Sequence, residues 1–145
     1  MIKKYNIIII LLLSISFTVN ALSENDFFTE AKKNFNEKKY DDSKFLFQRN
    51  IVFNPKDENS YLYLAKIFNI EENEQEKEKN INTVLLLNPK NEEAISILME
   101  IELKKSNYSK VRELMENFTK VCIKLCDNKN SILQSLKNLE PKNES

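Results

Sequence analysis

Cys122 and Cys126 are the only cysteines in this 145-residue chain, and their spacing of four makes them the first candidates for chemistry. In an oxidising compartment two neighbouring thiols invite a disulfide. On a regular helix residues four apart lie about 6 Å from each other, within the reach of a bridge but demanding on side-chain direction. Local unwinding near Asp127 would ease closure. So short a loop gains little through chain entropy, so a bridge here would serve to fix the helix end. Free thiols packed against the end of the fold, an intermolecular bridge and a metal-binding pair are the other readings of the same two residues. A redox-active pair would need a thiol of lowered pKa, and the spacing is not Cys-x-x-Cys.

The remaining chemistry is bounded by absences. The chain has no histidine and no glycine. Without glycine there is no phosphate-cradling loop and no dinucleotide fingerprint. Without histidine there is no Ser-His triad, no Cys-His dyad and no histidine-bearing zinc site. Pairs of Asp, Glu and Lys remain, but 30% of the chain is charged and such pairs arise by chance. The reading is a non-enzyme with no cofactor and no metal site. The formal net charge is +0 and no basic stripe stands apart, so no nucleic-acid partner is expected.

Lys3 and Lys4 precede an apolar run from Ile7 to Val19, and Val19-Asn20-Ala21 follows. A charged start, a short apolar core and a small-residue end are the parts of a secretory signal, here residues 1–21. The run is shorter than the roughly 20 residues that span a bilayer comfortably. Cleavage after Ala21 would place the protein in a bacterial periplasm or outside the cell, with no stable membrane span left. The competing reading is an uncleaved inner-membrane anchor from Tyr5 to Leu22. Loss of Lys3 and Lys4 from 22 basic residues leaves 20 against 22 acidic ones.

The elements that must position any site follow from a repeat. Asn54-Pro55-Lys56-Asp57-Glu58 returns as Asn88-Pro89-Lys90-Asn91-Glu92, with the prolines 34 residues apart. Steps of 34 also align Ala31, Ala65 and Met99; Phe47, Ile81 and Met115; Phe27, Tyr61 and Ile95; Asn50, Val84 and Phe118; and Tyr40 with Tyr108. Three units result, 24–57, 58–91 and 92–125. Each reads as two helices, with Phe27, Ala31 and Phe35 on one face of the first and Phe47, Ile51 and Val52 facing it from the second. Proline stops the second helix, and acidic residues open the next one. The turn before each second helix lacks glycine, and Asn73 and Asn107 can supply a left-handed conformation there instead. After Cys126, the pattern Ile132, Leu133, Leu136 and Leu139 predicts a capping helix in residues 128–145, ending at Pro141 before a short tail.

The pattern Phe27-x3-Ala31…Tyr40-Asp41-Asp42-Ser43…Phe47…Pro55, with Tyr108…Met115 in the third unit, resembles the tetratricopeptide repeat (TPR) family. The resemblance implies an all-α, right-handed α-α superhelix of three helix pairs and a C-terminal capping helix, over residues 22–127 and 128–145. It also implies a concave groove, lined from the first helices, that receives a peptide or another protein's helix. The candidates are Asn25, Phe28, Lys32, Asn36, Asn59, Leu62, Lys66, Asn69, Ile70, Ser96, Glu100 and Leu103. Lys32 and Lys66, one period apart, would hold an acidic peptide; the alternative is two solvated lysines.

Two further features read as structure. The belt Phe45, Phe47, Phe53, Tyr61, Tyr63 and Phe68 reads as core rather than a ligand platform. The run Glu71–Glu76 reads as a solvated turn feeding a helix. The expected function is an interaction module that binds another envelope protein or a peptide. The alternatives are a structural or self-associating subunit of an envelope complex and a thiol-redox helper.

Overall fold

The computed structural model describes residues 24–139, and side chains from Phe27 onward. Residues 1–23, where an export signal is expected, the tail beyond Leu139 and the side chain of Asn25 lie outside the described residues. Within them the chain forms α1 (Glu24–Asn36), α2 (Tyr40–Phe53), α3 (Glu58–Ile70), α4 (Glu74–Leu87), α5 (Glu92–Lys104), α6 (Tyr108–Val121) and α7 (Asn128–Leu139). The starts of α1, α3 and α5 are spaced by 34, as are those of α2, α4 and α6. Consecutive helices pack on one another, and α7 covers the last pair by resting on both α5 and α6. The result is a stack of three antiparallel helix pairs with a cap.

Polar residues at fixed steps write these boundaries. Asp57, Asn91, Asn73 and Asn107 stand at helix N-caps, each accepting from a backbone N–H in the first turn, of Asn59, Ala94, Glu76 and Lys110 in that order. The second helices end where the N–H of Asn54, Asn88 and Cys122 donates to the carbonyl four residues back. The first helices end in a motif that also repeats every 34 residues. Lys38, Glu72 and Ser106 have φ of 60°, 57° and 59°. Their N–H groups donate to Phe35, Asn69 and Leu103, and those of the next residues reach back to Asn34, Phe68 and Glu102. This double tie is the Schellman arrangement. It corrects the expectation for Asn73 and Asn107, whose φ values are −89° and −86°. A short side-chain acceptor is of more use capping the next helix, so the left-handed strain falls on the residue before it.

The core has two parts. Ala31, Phe47, Leu64, Ile67 and Phe68 form the first, surrounded by half-buried rings. Tyr63 of α3 stacks on Phe47 at 4.9 Å and meets Phe35 and Phe28 edge-on at 5.1 and 6.0 Å. The second is aliphatic and runs from Leu62, Ala65, Ile81 and Val84 through Ile95, Met99 and Phe118 to Ile132 and Leu136 of the cap. Ala31, Ala65 and Met99, one period apart in turn, are all buried.

Val52 is 77% exposed and does not face α1. Five residues beyond Phe47, it has turned past the buried stripe of Ser43, Phe47 and Asn50. Of the aromatic belt, Phe47, Tyr63 and Phe68 join the core. Phe45 and Phe53 stay outside it at 60% and 57% exposure, with Phe53 stacked on Phe27.

Ion pairs cross the unit boundaries. Lys44 of α2 pairs with Glu71 at 2.5 Å, and Glu78 of α4 pairs with Lys105 at 2.5 Å. These are the same two positions one period apart with the signs exchanged. The run Glu71–Glu76 is therefore partly engaged, since Glu74 also binds Lys77 and Lys104 and Glu76 binds Lys79.

A non-glycine residue in the left-handed region costs about 1 kcal/mol or more. Ser106→Gly is therefore expected to raise stability by roughly 0.5–1 kcal/mol, after allowing for the added freedom of the unfolded chain. Ser106→Val is expected to lower it. Urea unfolding followed by circular dichroism checks both.

Candidate functional site

The first helices share one face, and α1, α3 and α5 open a cavity there of about 430 Å³. Phe35 comes from α1, Ala65, Lys66, Asn69 and Ile70 from α3, Lys77 from α4, and Glu93, Ile97 and Glu100 from α5. Phe35, Ala65, Ile70 and Ile97 make an apolar floor beneath a polar rim. Ile70 is 47% exposed although it is large and apolar.

The rim is charge-compensated. The Lys66 ammonium lies 2.8 Å from the Glu93 carboxylate and 4.9 Å above the Tyr63 ring. Lys77 is almost wholly buried and donates to Asn69 Oδ1 and Glu74 Oε2, each at 2.9 Å. Glu74 also accepts from Lys104 at 2.6 Å. The Lys104 and Lys77 hydrogen bonds, in that order, hold the Glu74 carboxyl below the usual carboxylate range, and Glu74 in turn raises Lys104. Such a rim can orient polar groups of a bound chain but offers no net charge to attract it.

Four of the residues singled out from sequence meet at this cavity: Lys66, Asn69, Ile70 and Glu100. Lys32, Asn36 and Asn59 are exposed but do not line it. Phe28 packs into the aromatic core against Phe47 and Tyr63. Leu62, Ser96 and Leu103 are buried and present no groove surface. Phe28, Leu62 and Ser96 form one 34-residue column, and it faces inward. Leu62 joins the aliphatic core, while Ser96 Oγ accepts from Asn128 of the cap at 3.1 Å. The Lys32–Lys66 clamp for an acidic peptide does not form as two open cations, because Glu93 already neutralises Lys66.

Sequence reading missed five lining residues. Glu93 stands one period after Asn59, so the repeat itself carried that signal. Phe35 and Ala65 were assigned wholly to the core. Ile97 follows Tyr63 by one period, but Tyr63 had been read as core. Nothing in the pattern marked Lys77, the one lining residue from a second helix.

Cys122 and Cys126 form a disulfide with Cα atoms 5.3 Å apart. Helix α6 ends at Val121, so both cysteines lie in the turn rather than on the helix, and the unwinding begins at Cys122 instead of near Asp127. Cys122 takes the step of Asn54 and Asn88, and Cys126 that of Glu58 and Glu92. The bridge thus closes the turn that proline and an N-cap close in the first two units. Across from it, Glu92 accepts from the N–H groups of Leu125 and Lys124 at 2.8 and 2.9 Å. These backbone bonds, Leu125 foremost, hold the Glu92 carboxyl below its ordinary range. Among the described residues no helix is long and apolar enough to cross a membrane.

Two expectations follow at this turn. Replacing both cysteines by serine should lower stability by at most about 2 kcal/mol, the loop-entropy value for so short a loop. Urea midpoints of the paired variants measure it. A depressed carboxyl stabilises fully above its unfolded pKa, about 4.3, and loses that contribution as pH falls through the lower folded value. The amide shifts of Lys124 and Leu125, followed by NMR, are therefore expected to titrate below pH 4.3 and to lose that step in Glu92→Gln.

No family model matches the chain, and no curated protein sequence does. Its fold is matched by solved structures. The first TPR domain of Spaghetti (RPAP3), solved with the HSP90 peptide SRMEEVD, is 14% identical with a TM-score of 0.69, covering 86% of this chain and 98% of that one. The Yersinia enterocolitica type III secretion chaperone SycD, solved with a peptide of the translocator YopD, is 16% identical with a TM-score of 0.70, covering 82% and 98%. The Sgt2 TPR domain of Aspergillus fumigatus is 14% identical with a TM-score of 0.64, covering 84% and 87%. At these identities the likeness is one of fold. With its 34-residue period, three stacked helix pairs and cap, this chain has the fold of tetratricopeptide-repeat domains.

Proposed function

We propose that this protein is a non-enzymatic interaction module of the bacterial cell envelope that holds a segment of a partner protein on the face built by α1, α3 and α5. The observation that carries the reading is the cavity bounded by Phe35, Ile70 and Ile97, with its volume of about 430 Å³. Ligand sites fall at roughly 300–1,000 Å³ and combine an apolar lining with a few placed polar groups. An apolar side chain of the partner would enter the floor, and Asn69 and Glu100 on the rim would meet its polar groups.

Because Lys66 is paired with Glu93, and Lys77 and Lys104 with Glu74, affinity would rest on apolar contact and vary little with salt. The peptide complexes of the RPAP3 domain and of SycD lend support by analogy of fold. The envelope setting rests on the export signal read in residues 1–21. A cleaved signal would leave the module in the periplasm, and a retained one would tether it to the inner membrane.

The test is site-specific photo-cross-linking in the native host, with the photoreactive residue at the exposed position Glu100 and mass spectrometry of what is captured. A heterologous protein is expected, with yield reduced at least tenfold by Ile70→Asp, a loss of about 1.4 kcal/mol or more. Undiminished capture in Ile70→Asp would sink the groove reading. Capture of this chain alone would favour the self-associating subunit.

A further inference from the structure

Helix α7 stands where the first helix of a fourth unit would stand. Cys126 falls one period after Glu92, and α7 opens just beyond it at Asn128. Tyr108 at the start of α6 reaches the far end of α7, where its hydroxyl donates to the Leu139 carbonyl at 2.9 Å. Glu74 at the start of α4 reaches the far end of α5 in the same way, through Lys104. The earlier first helices each lie against a second helix of their own unit, α1 on α2, α3 on α4 and α5 on α6. Among the described residues no such helix follows α7.

The side chains show the consequence. Leu133 continues the column of Ala31, Ala65 and Met99 by one more period. Those three are at most 1% exposed, in cores shared with Phe47, Ile81 and Met115 of their own second helices. Leu133 has no such counterpart among the described residues and is only half-buried. It opens into a recess of about 330 Å³ between α6 and α7. Met115, Leu133 and Leu136 line the apolar part, and Arg112, Glu116 and Lys129 stand around it. The recess shares no lining residue with the cavity of α1, α3 and α5. A terminal cap ordinarily turns a polar face outward, and this one keeps an apolar slot.

The two helices that bound the slot are basic. α7 carries Lys129 and Lys137 and no acidic residue. α6 carries Lys110, Arg112 and Lys120 against Glu113 and Glu116, with Lys110 and Glu113 paired to each other at 2.7 Å. In the turn before α7, Asp127 is matched by Lys124.

We infer that this recess is a docking site for an amphipathic helix of another protein, one with an apolar face and acidic flanks. The site goes beyond the groove of the first helices and does not depend on it. Each earlier first helix is met by a second helix of 14 residues, so a helix of that length fits the next step of the stack. Helices held in such grooves anchor through apolar residues three and four apart. A large apolar side chain entering beside Leu133 would do there what Phe47 and Ile81 do beside Ala31 and Ala65. The surrounding cations favour carboxylates on the flanks and steer their approach. A second copy of this chain fits less well, because its own second helices are already packed. Its α7, the helix left to offer, would bring Lys129 and Lys137 against the same cations.

The test uses the full chain and two fluorescein-labelled synthetic peptides, read by fluorescence anisotropy. Both peptides carry leucines at helical spacing on one face, and they differ only in having glutamates or lysines on the flanks. The acidic peptide is expected to bind, and the basic one to bind more weakly. Leu133→Asp should weaken the acidic peptide about tenfold or more, as loss of a central anchor contact does. Ile70→Asp, in the other cavity, should leave it unchanged. Lys129→Glu should weaken the acidic peptide and strengthen the basic one, a reversal that loosening of α7 alone does not produce. Failure of the acidic peptide to bind overturns the proposal, as does binding that survives Leu133→Asp, is lost in Ile70→Asp or ignores the charge of the flanks. Sedimentation velocity of the chain without peptide completes the test. Self-association abolished by Leu133→Asp would assign the recess to a second copy and also overturn the proposal.

Discussion

Stacking in this molecule depends on how each second helix hands the chain to the next pair. An antiparallel helix pair hides only one of its sides, so the direction in which the following pair arrives decides whether the other side is covered. At the first junction Asn50 Nδ2 donates to Asp57 and Ser60, and Ser60 Oγ donates to the same Asp57 carboxylate at 2.6 Å. At the second, Glu58 accepts from Asn88 and Asn91. At the third, Glu92 holds two backbone amides while a disulfide closes the loop. Three different sets of groups perform one task at one step of the repeat. Each buried polar atom in them has a partner, and an unpartnered one would cost about 1–3 kcal/mol.

Helix α3 joins two cores of different character. Leu64, Ile67 and Phe68 face the aromatic cluster of the first pair, while Leu62 and Ala65 face the aliphatic one. Rings such as Phe47 and Tyr63 bury large areas in few residues, which suits a pair that has one neighbouring pair among the described residues. The opposite end uses a different solution, since α7 lays Ile132 and Leu136 over the last pair.

The period made the architecture legible, because a helix boundary every 16 to 18 residues leaves polar and proline marks that repeat in register. Side-chain facing was harder. The resemblance lines the groove from the first helices and so puts Leu62, Ser96 and Leu103 there, whereas all three side chains are buried by neighbouring elements. Ile51 packs against the first core while Val52 beside it is exposed, because one further residue turns a side chain by about 100°. Asn73 and Asn107 were given the conformation asparagine tolerates rather than the capping bond it makes. The cavity was half legible: Lys66, Asn69, Ile70 and Glu100 lie on the exposed stripe, but the partner contributed by Glu93 and the reach of Lys77 from α4 depend on how the pairs stack.

The exchange of signs between Lys44–Glu71 and Glu78–Lys105 has a consequence for the order of the units. Each pair is partly exposed and adds little to stability. Together they act as an address. The first unit presents lysine where the second accepts with glutamate, and the second presents glutamate where the third accepts with lysine. Were the first unit to land directly on the third, in a misfolded chain or between two copies, Lys44 would face Lys105. Like charges at that seam penalise the skipped arrangement and leave the true sequence favoured. Units built on so similar a plan could otherwise exchange places, and two pairs of surface charges discourage the wrong neighbour.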